Sequence, residues 1–154
     1  MPFLYSGDYE PFYDMFRLIR ALPNDRLLVA CHHDQKIAEF TWDGSIVWEA
    51  TLEGAPYMPL RISNGNTLVS LGASGLIVEI DPSGKSVWRY DMVLDSGLER
   101  GWIAGISQLK NGNVVYSDSQ HDRLIEISRN RELVGVFQDR DVLLHPSTHL
   151  ILDE

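Results

Sequence analysis

Between residues 59 and 90 short apolar runs alternate with turn residues at strand-like intervals. Pro59–Ser63 reads as a strand leading into Asn64-Gly65, a hairpin signal because both residues tolerate positive φ. Thr67–Leu71 is the next apolar run, and Gly72-Ala73-Ser74-Gly75 forms a loop. Leu76–Ile80 alternates into a third strand, Asp81-Pro82-Ser83-Gly84 is a proline-initiated turn, and Lys85–Tyr90 is a fourth strand. A 3.6-residue apolar period is hardly visible anywhere, so the pattern predicts an all-β chain.

The same pattern returns three times. It reads NDRLLVA…IAEFTWDGSIVW from Asn24, NGNTLVS…IVEIDPSGKSVW from Asn64, and NGNVVYS…LIEISRNRELVG from Asn111. Leu28 and Leu68, Glu39 and Glu79, Gly44 and Gly84, and Trp48 and Trp88 are each 40 residues apart. From the second copy to the third the shift is 47, as from Glu79 to Glu126. A strand-only repeat of this length is the signature of β-propeller blades, each a four-stranded antiparallel sheet. Blades are expected over residues 17–50, 57–90 and 103–138 of a single domain. A partial fourth is expected to combine residues 142–152 with 1–16, whose six aromatics could supply an outer strand.

The motif N-G-N-T/V-L-V, then x-E-I, then G-x-x-x-W resembles the repeats of PQQ-like and NHL-type β-propellers over roughly residues 17–140. The PQQ-like resemblance implies that Trp48 and Trp88 dock between blades. The third copy departs from it with Gly135 at that position. SDSQHDRLIEI from Ser117 is similar instead to the NHL phrase, with Asp118 and Arg123 in matching places. These motifs speak for fold and imply no cofactor.

Minimal turns at 24–25, 64–65 and 111–112, and at 43–44, 83–84 and 129–130, mark one side of the disc as structural. The other side carries loops 31–35, 71–75 and 117–122 and the connectors 51–59, 91–102 and 139–148. Function tends to sit on such loops. His32, His33 and Asp34 occupy one loop, and His121 and Asp122 the equivalent loop two blades on. Arg100 and Trp102 lie in the connector that holds the seven extra residues. His32, His33, Asp34, Arg100, Trp102, His121 and Asp122 are the candidate ligand-binding residues. Imidazole beside carboxylate also suits general acid–base chemistry or a divalent metal, although the spacing matches no known ligand set. Glu39, Glu79 and Glu126 read as a ring of carboxylates for a cation or, the favoured reading, as a repeated charge on the solvent-facing side of a strand or a partner for Lys36 and Arg123. Arg17, Arg61 and Lys110 lie on or beside first strands and are weaker candidates for an anion.

The net charge of −9 and pI near 4.9 argue against nucleic acid or an anionic membrane as partner. No apolar run approaches the ~20 residues of a membrane-spanning helix. The N-terminus lacks a basic stretch, so no signal peptide is expected, and the lone Cys31 fits a reducing, cytoplasmic setting. Three blades do not close a ring, so a homo-oligomer, a dimer closing the ring, is the favoured expectation, with closure alone as a four-bladed ring or a piece of a longer propeller as the alternatives. Two functional classes stay open. One is a non-enzymatic binding module presenting its loop face to a small ligand or protein. The other is a propeller hydrolase or lyase with a His/Asp/Glu or metal site at the channel mouth.

Overall fold

The computed structural model describes residues 17–139 and 141–149. Every regular element in it is a strand, and the twelve strands form three four-stranded antiparallel sheets. Blade 1 comprises β1 (Ile19–Leu22), β2 (Arg26–Cys31), β3 (Lys36–Thr41) and β4 (Ile46–Thr51). Blade 2 comprises β5 (Met58–Arg61), β6 (Thr67–Ser70), β7 (Leu76–Ile80) and β8 (Ser86–Asp91). Blade 3 comprises β9 (Ile103–Gln108), β10 (Val114–Asp118), β11 (Arg123–Ile127) and β12 (Leu133–Gln138). Strands pair in chain order within each sheet. The all-β propeller architecture read from the repeat is the observed one.

The first hairpin of each blade turns in one of two ways. Asn24 and Asp25 both take positive φ, at 62° and 57°. In blades 2 and 3 only the glycine does, Gly65 and Gly112 each at 88°. There the preceding asparagine accepts from the chain with its side chain instead: Asn66 N–H donates to Asn64 Oδ1 at 2.9 Å, and Asn113 N–H to Asn111 Oδ1 at 3.0 Å. An Asx turn does the work of a second left-handed residue. A bulge recurs where β3, β7 and β11 meet the outer strand, just after Glu39, Glu79 and Glu126. It sets Glu39 opposite Trp48, Glu79 opposite Trp88 and Glu126 opposite Gly135.

Two apolar clusters seal the two joints between blades. Ile37 and Ala50 of blade 1 pack with Val69, Val78 and Ile80 of blade 2. Met58, Leu68, Ile77 and Tyr90 of blade 2 pack with Ile106, Tyr116 and Ile125 of blade 3. The outer-strand tryptophans clip the joints. Trp48 Nε1–H donates to Pro82 O, and Trp88 Nε1–H to Arg129 O, each at 2.9 Å. An arginine of the following blade covers each indole: Arg61 stands 5.1 Å from the Trp48 ring centre and Arg129 4.4 Å from that of Trp88.

Those arginines correct the reading of the repeated glutamates. Glu39 takes Arg26 and Arg61, at 3.1 and 2.8 Å, and Glu79 takes Arg129 and Asn66. Lys36 pairs with Glu49 and Arg123 with Asp118 instead. Glu79 is almost wholly buried. A carboxylate facing the next blade is held by that blade's arginine, and the face is interior rather than solvated. Arg61 is therefore committed to a joint rather than to an anion.

Blade 3 has no such neighbour among the described residues. Glu126 takes only Asn113, at 2.6 Å. Phe137, in the slot of buried Ala50 and Tyr90, is 56% exposed. Residues 141–149 cross the inner end of this face, with His149 Nδ1 2.8 Å from Ser117 Oγ. In the blade 2–blade 3 joint Ser70 occupies that slot and donates to Ala104 O of β9 at 2.6 Å. The chain at 148–149 thus passes where the first strand of a fourth blade would run. Residues 1–16 and 150–152, assigned above to a partial blade, lie outside the described residues.

Candidate functional site

The longest connector, residues 92–102, and the β10–β11 loop meet on the loop side of blade 3. Asp118, at the end of β10, is fully buried and central. Its Oδ2 accepts from His121 Nδ1 at 2.8 Å and from Arg123 Nε at 2.9 Å. The carboxylate is pressed onto Gly101, where a Cβ would stand 2.1 Å from Asp118 Oδ1. Only glycine fits, and the seven-residue insertion is thereby pinned to the loop it overlies. Asp118 Oδ1 is buried without a hydrogen-bond partner among the described residues. The second nitrogen of His121 faces Glu99 at 3.7 Å, and Glu99 projects into solvent.

Trp102 lies beside this network. Its ring packs edge-on against Tyr57, with centres 6.0 Å apart, and covers Gly72, whose φ of 46° and missing Cβ make room for the indole. Trp102 O accepts from Ser119 N at 3.0 Å, tying the connector to the β10–β11 loop again. Arg100 donates to Ser74 O in the equivalent loop of blade 2. Asp122 takes a left-handed φ of 54° and accepts from His145 N at 2.8 Å.

The structure therefore brings together Arg100, Trp102, His121 and Asp122 on one patch, with Glu99, Tyr57 and Asp118 added. It does not bring the blade 1 loop to them. His32 Nδ1 meets Pro56 O at 3.0 Å, and His33 and Asp34 are exposed with no hydrogen bond or ion pair to a described residue. No three His, Cys, Asp or Glu side chains among the described residues form a metal-binding group. The buried carboxylate that organises the patch was visible only as a motif position. Its signal was Asp118 and Arg123 five residues apart, with a histidine between them.

Cys31, at the end of β2, is half-buried, and burial pushes its thiol up, away from the thiolate a nucleophile needs. Tyr90 and Tyr116 share a hydrogen bond of 3.0 Å between their hydroxyls inside the blade 2–blade 3 joint, and burial raises both. Neither reaches a surface where it would act as an acid. No helix of the described residues is long and apolar enough to cross a membrane.

No family model matches this chain, and no curated protein does. Solved structures do match. A protein of unknown function from Bacteroides caccae shares 24% identity at a TM-score of 0.75, covering 88% of this chain and 53% of its own. A streptogramin B lyase shares 14% identity at 0.71, covering 88% and 44%. A WD40 β-propeller domain shares 15% identity at 0.62, covering 81% and 40%. At these identities the likeness is one of fold. The chain spans about half the length of the structures it resembles, and its three sheets are β-propeller blades.

Proposed function

We propose that this chain is a binding module that engages a small ligand or protein partner with the patch around Trp102. One observation carries the reading: His121 is held by buried Asp118, while His32 and His33 stand apart from it. A propeller lyase or hydrolase would need those imidazoles to converge on one reacting centre. What remains on the loop face is an aromatic edge, Trp102 and Tyr57, flanked by Arg100 and exposed Glu99. Such mixed aromatic and charged surfaces suit recognition.

A nuclear magnetic resonance screen with aromatic amine and aromatic carboxylate fragments tests it. Hits should shift the Trp102 indole signal, vanish in Trp102→Ala and persist in His33→Ala. Turnover of a streptogramin B by the purified protein, lost in His121→Ala, would replace this reading with the lyase one.

The open face of blade 3 belongs to the same reading. We propose a second copy of the chain as its cover, since one copy spans about half of a comparable propeller and leaves Phe137 bare. The solution mass should be twice 17.5 kDa and fall to one chain in Phe137→Glu. A wild-type mass of one chain would overturn it.

A further inference from the structure

In a repeat protein, residues that hold the fold recur from copy to copy, and departures that converge on one place call for another explanation. Three departures converge here. Arg89 on β8 stands where blade 1 has Glu49 and blade 3 has Val136. Arg129 stands where the other blades have Trp42 and Pro82. Arg131 stands where they have Gly44 and Gly84. Although their slots differ, all three guanidinium-bearing residues line one shallow notch between blades 2 and 3, together with Val87, Trp88 and Asn130.

Arg131 is the most informative of them. Gly44 and Gly84 take φ of 90° and 86°, and Arg131 is forced to 71°, a region that disfavours any side chain. Its guanidinium makes no hydrogen bond to a described residue and only faces Asp95 at 3.6 Å. A residue that strains the turn and is not needed to close it has its use elsewhere. Arg129 forms the floor, stacked on Trp88 and paired to Glu79, with Nη1 buried and lacking an acceptor among the described residues. Arg89 holds Glu53 at 3.1 Å and Asp91 at 3.4 Å and keeps further donors unused. Four carboxylates, Glu53, Glu79, Asp91 and Asp95, face these three guanidinium groups, so the notch is not a repulsive cluster. Guanidinium N–H groups of Arg89 and Arg131 beyond those contacts have no hydrogen-bond partner among the described residues.

We propose that this notch is an oxyanion site, taking the phosphate or carboxylate group of a ligand on Arg131 and Arg89 above the Arg129–Trp88 floor. Planar guanidinium groups with free N–H pairs match both oxyanions, and Asn130 supplies a neutral donor. The notch lies between the outer strand of blade 2 and the 129–131 turn of blade 3, and none of its lining residues belongs to the patch around Trp102.

Titration of the full chain with inorganic phosphate, and in parallel with acetate, followed by amide signals, tests the proposal. Partly exposed guanidinium groups should give saturable shifts at Asn130 and Arg131 with a dissociation constant on the order of millimolar, weakened by added chloride. Tighter binding of phosphate than acetate assigns the site to phosphate-bearing ligands, and the reverse to carboxylates. Arg131→Gly restores the residue of the other two blades. It should melt at or above the wild-type temperature while binding roughly tenfold more weakly, and Arg89→Glu should do the same to binding. Absence of saturable shifts with both anions, or unchanged binding in Arg131→Gly and Arg89→Glu, would overturn the site.

Discussion

Blade 2 and blade 3 share a slot two residues past the tryptophan position and treat it in opposite ways. Tyr90 is fully buried there, bonded to Tyr116 across the joint, while Phe137 is more than half exposed. The local sheets are alike: each strand is the outer one of four, and each follows the same bulge. Among the described residues, what differs is the presence of a following blade. Burial in this fold belongs to the joint between blades rather than to the blade, so equal aromatic residues hold unequal amounts of stability.

Truncation is the harshest way to break that comparison. Tyr90→Ala should cost about 3–5 kcal/mol in urea unfolding, since it empties a filled joint. Phe137→Ala should cost less than about 0.5 kcal/mol in a single chain. A large cost at Phe137 that grows with protein concentration would mean that a second copy fills its joint in solution.

The tryptophan clip gives a smaller contrast. Trp88→Phe removes the bond to Arg129 O and weakens the stacking of its guanidinium, about 1–2 kcal/mol together. Gly135→Trp, where a Cβ has no neighbour within 4 Å among the described residues, should leave stability within about 0.5 kcal/mol.

Acid sharpens the comparison further. Burial pushes Glu79 up, but hydrogen bonds from Asn66, Arg129 and Asn64 outweigh it and hold the carboxyl below its ordinary value of 4.5. Its contribution is complete above that value and is lost as pH falls through the lower, folded one. The gap in melting temperature between wild type and Glu79→Gln should therefore be widest near neutrality and close in acid.

The smallest effect falls at the inner end of the open face. Burial, and then the charge of Arg20, push His149 below its ordinary 6.5, so the folded protein resists a proton that the unfolded chain accepts. Stability from this group is full above about pH 6.5 and declines as pH falls from there to the folded value. A shallow loss near pH 6, absent in His149→Leu, would appear in thermal melts.

The period of 40 and then 47 residues, with glycine, glutamate and tryptophan in fixed places, was enough to lay out the blades. The joints were harder to see. Arg61 ends a first strand and Arg129 begins a turn between strands three and four, yet both cover a tryptophan and pair with a glutamate. Two origins for one role leave no constant spacing to read. Glu79 and Arg129 are 50 residues apart, and only the packing of one sheet on the next brings them together. The seven candidate residues divided for a similar reason: the insertion containing Arg100 and Trp102 folds onto His121, whereas His32 is drawn to Pro56 in its own connector. Arg131 directly follows the turn read at 129–130. Its meaning needed the backbone angle.

Because every sheet is assembled from strands in chain order, each blade forms almost wholly from contacts between neighbours along the chain. Among the described residues blade 2 alone has a blade on each side, and β6 and β7 are buried throughout. Such a stack opens from its ends, and its folding begins where neighbours are most numerous. The amide protons of Leu68, Val69, Ile77 and Val78 should be the last to exchange with solvent, long after those of β12 have gone.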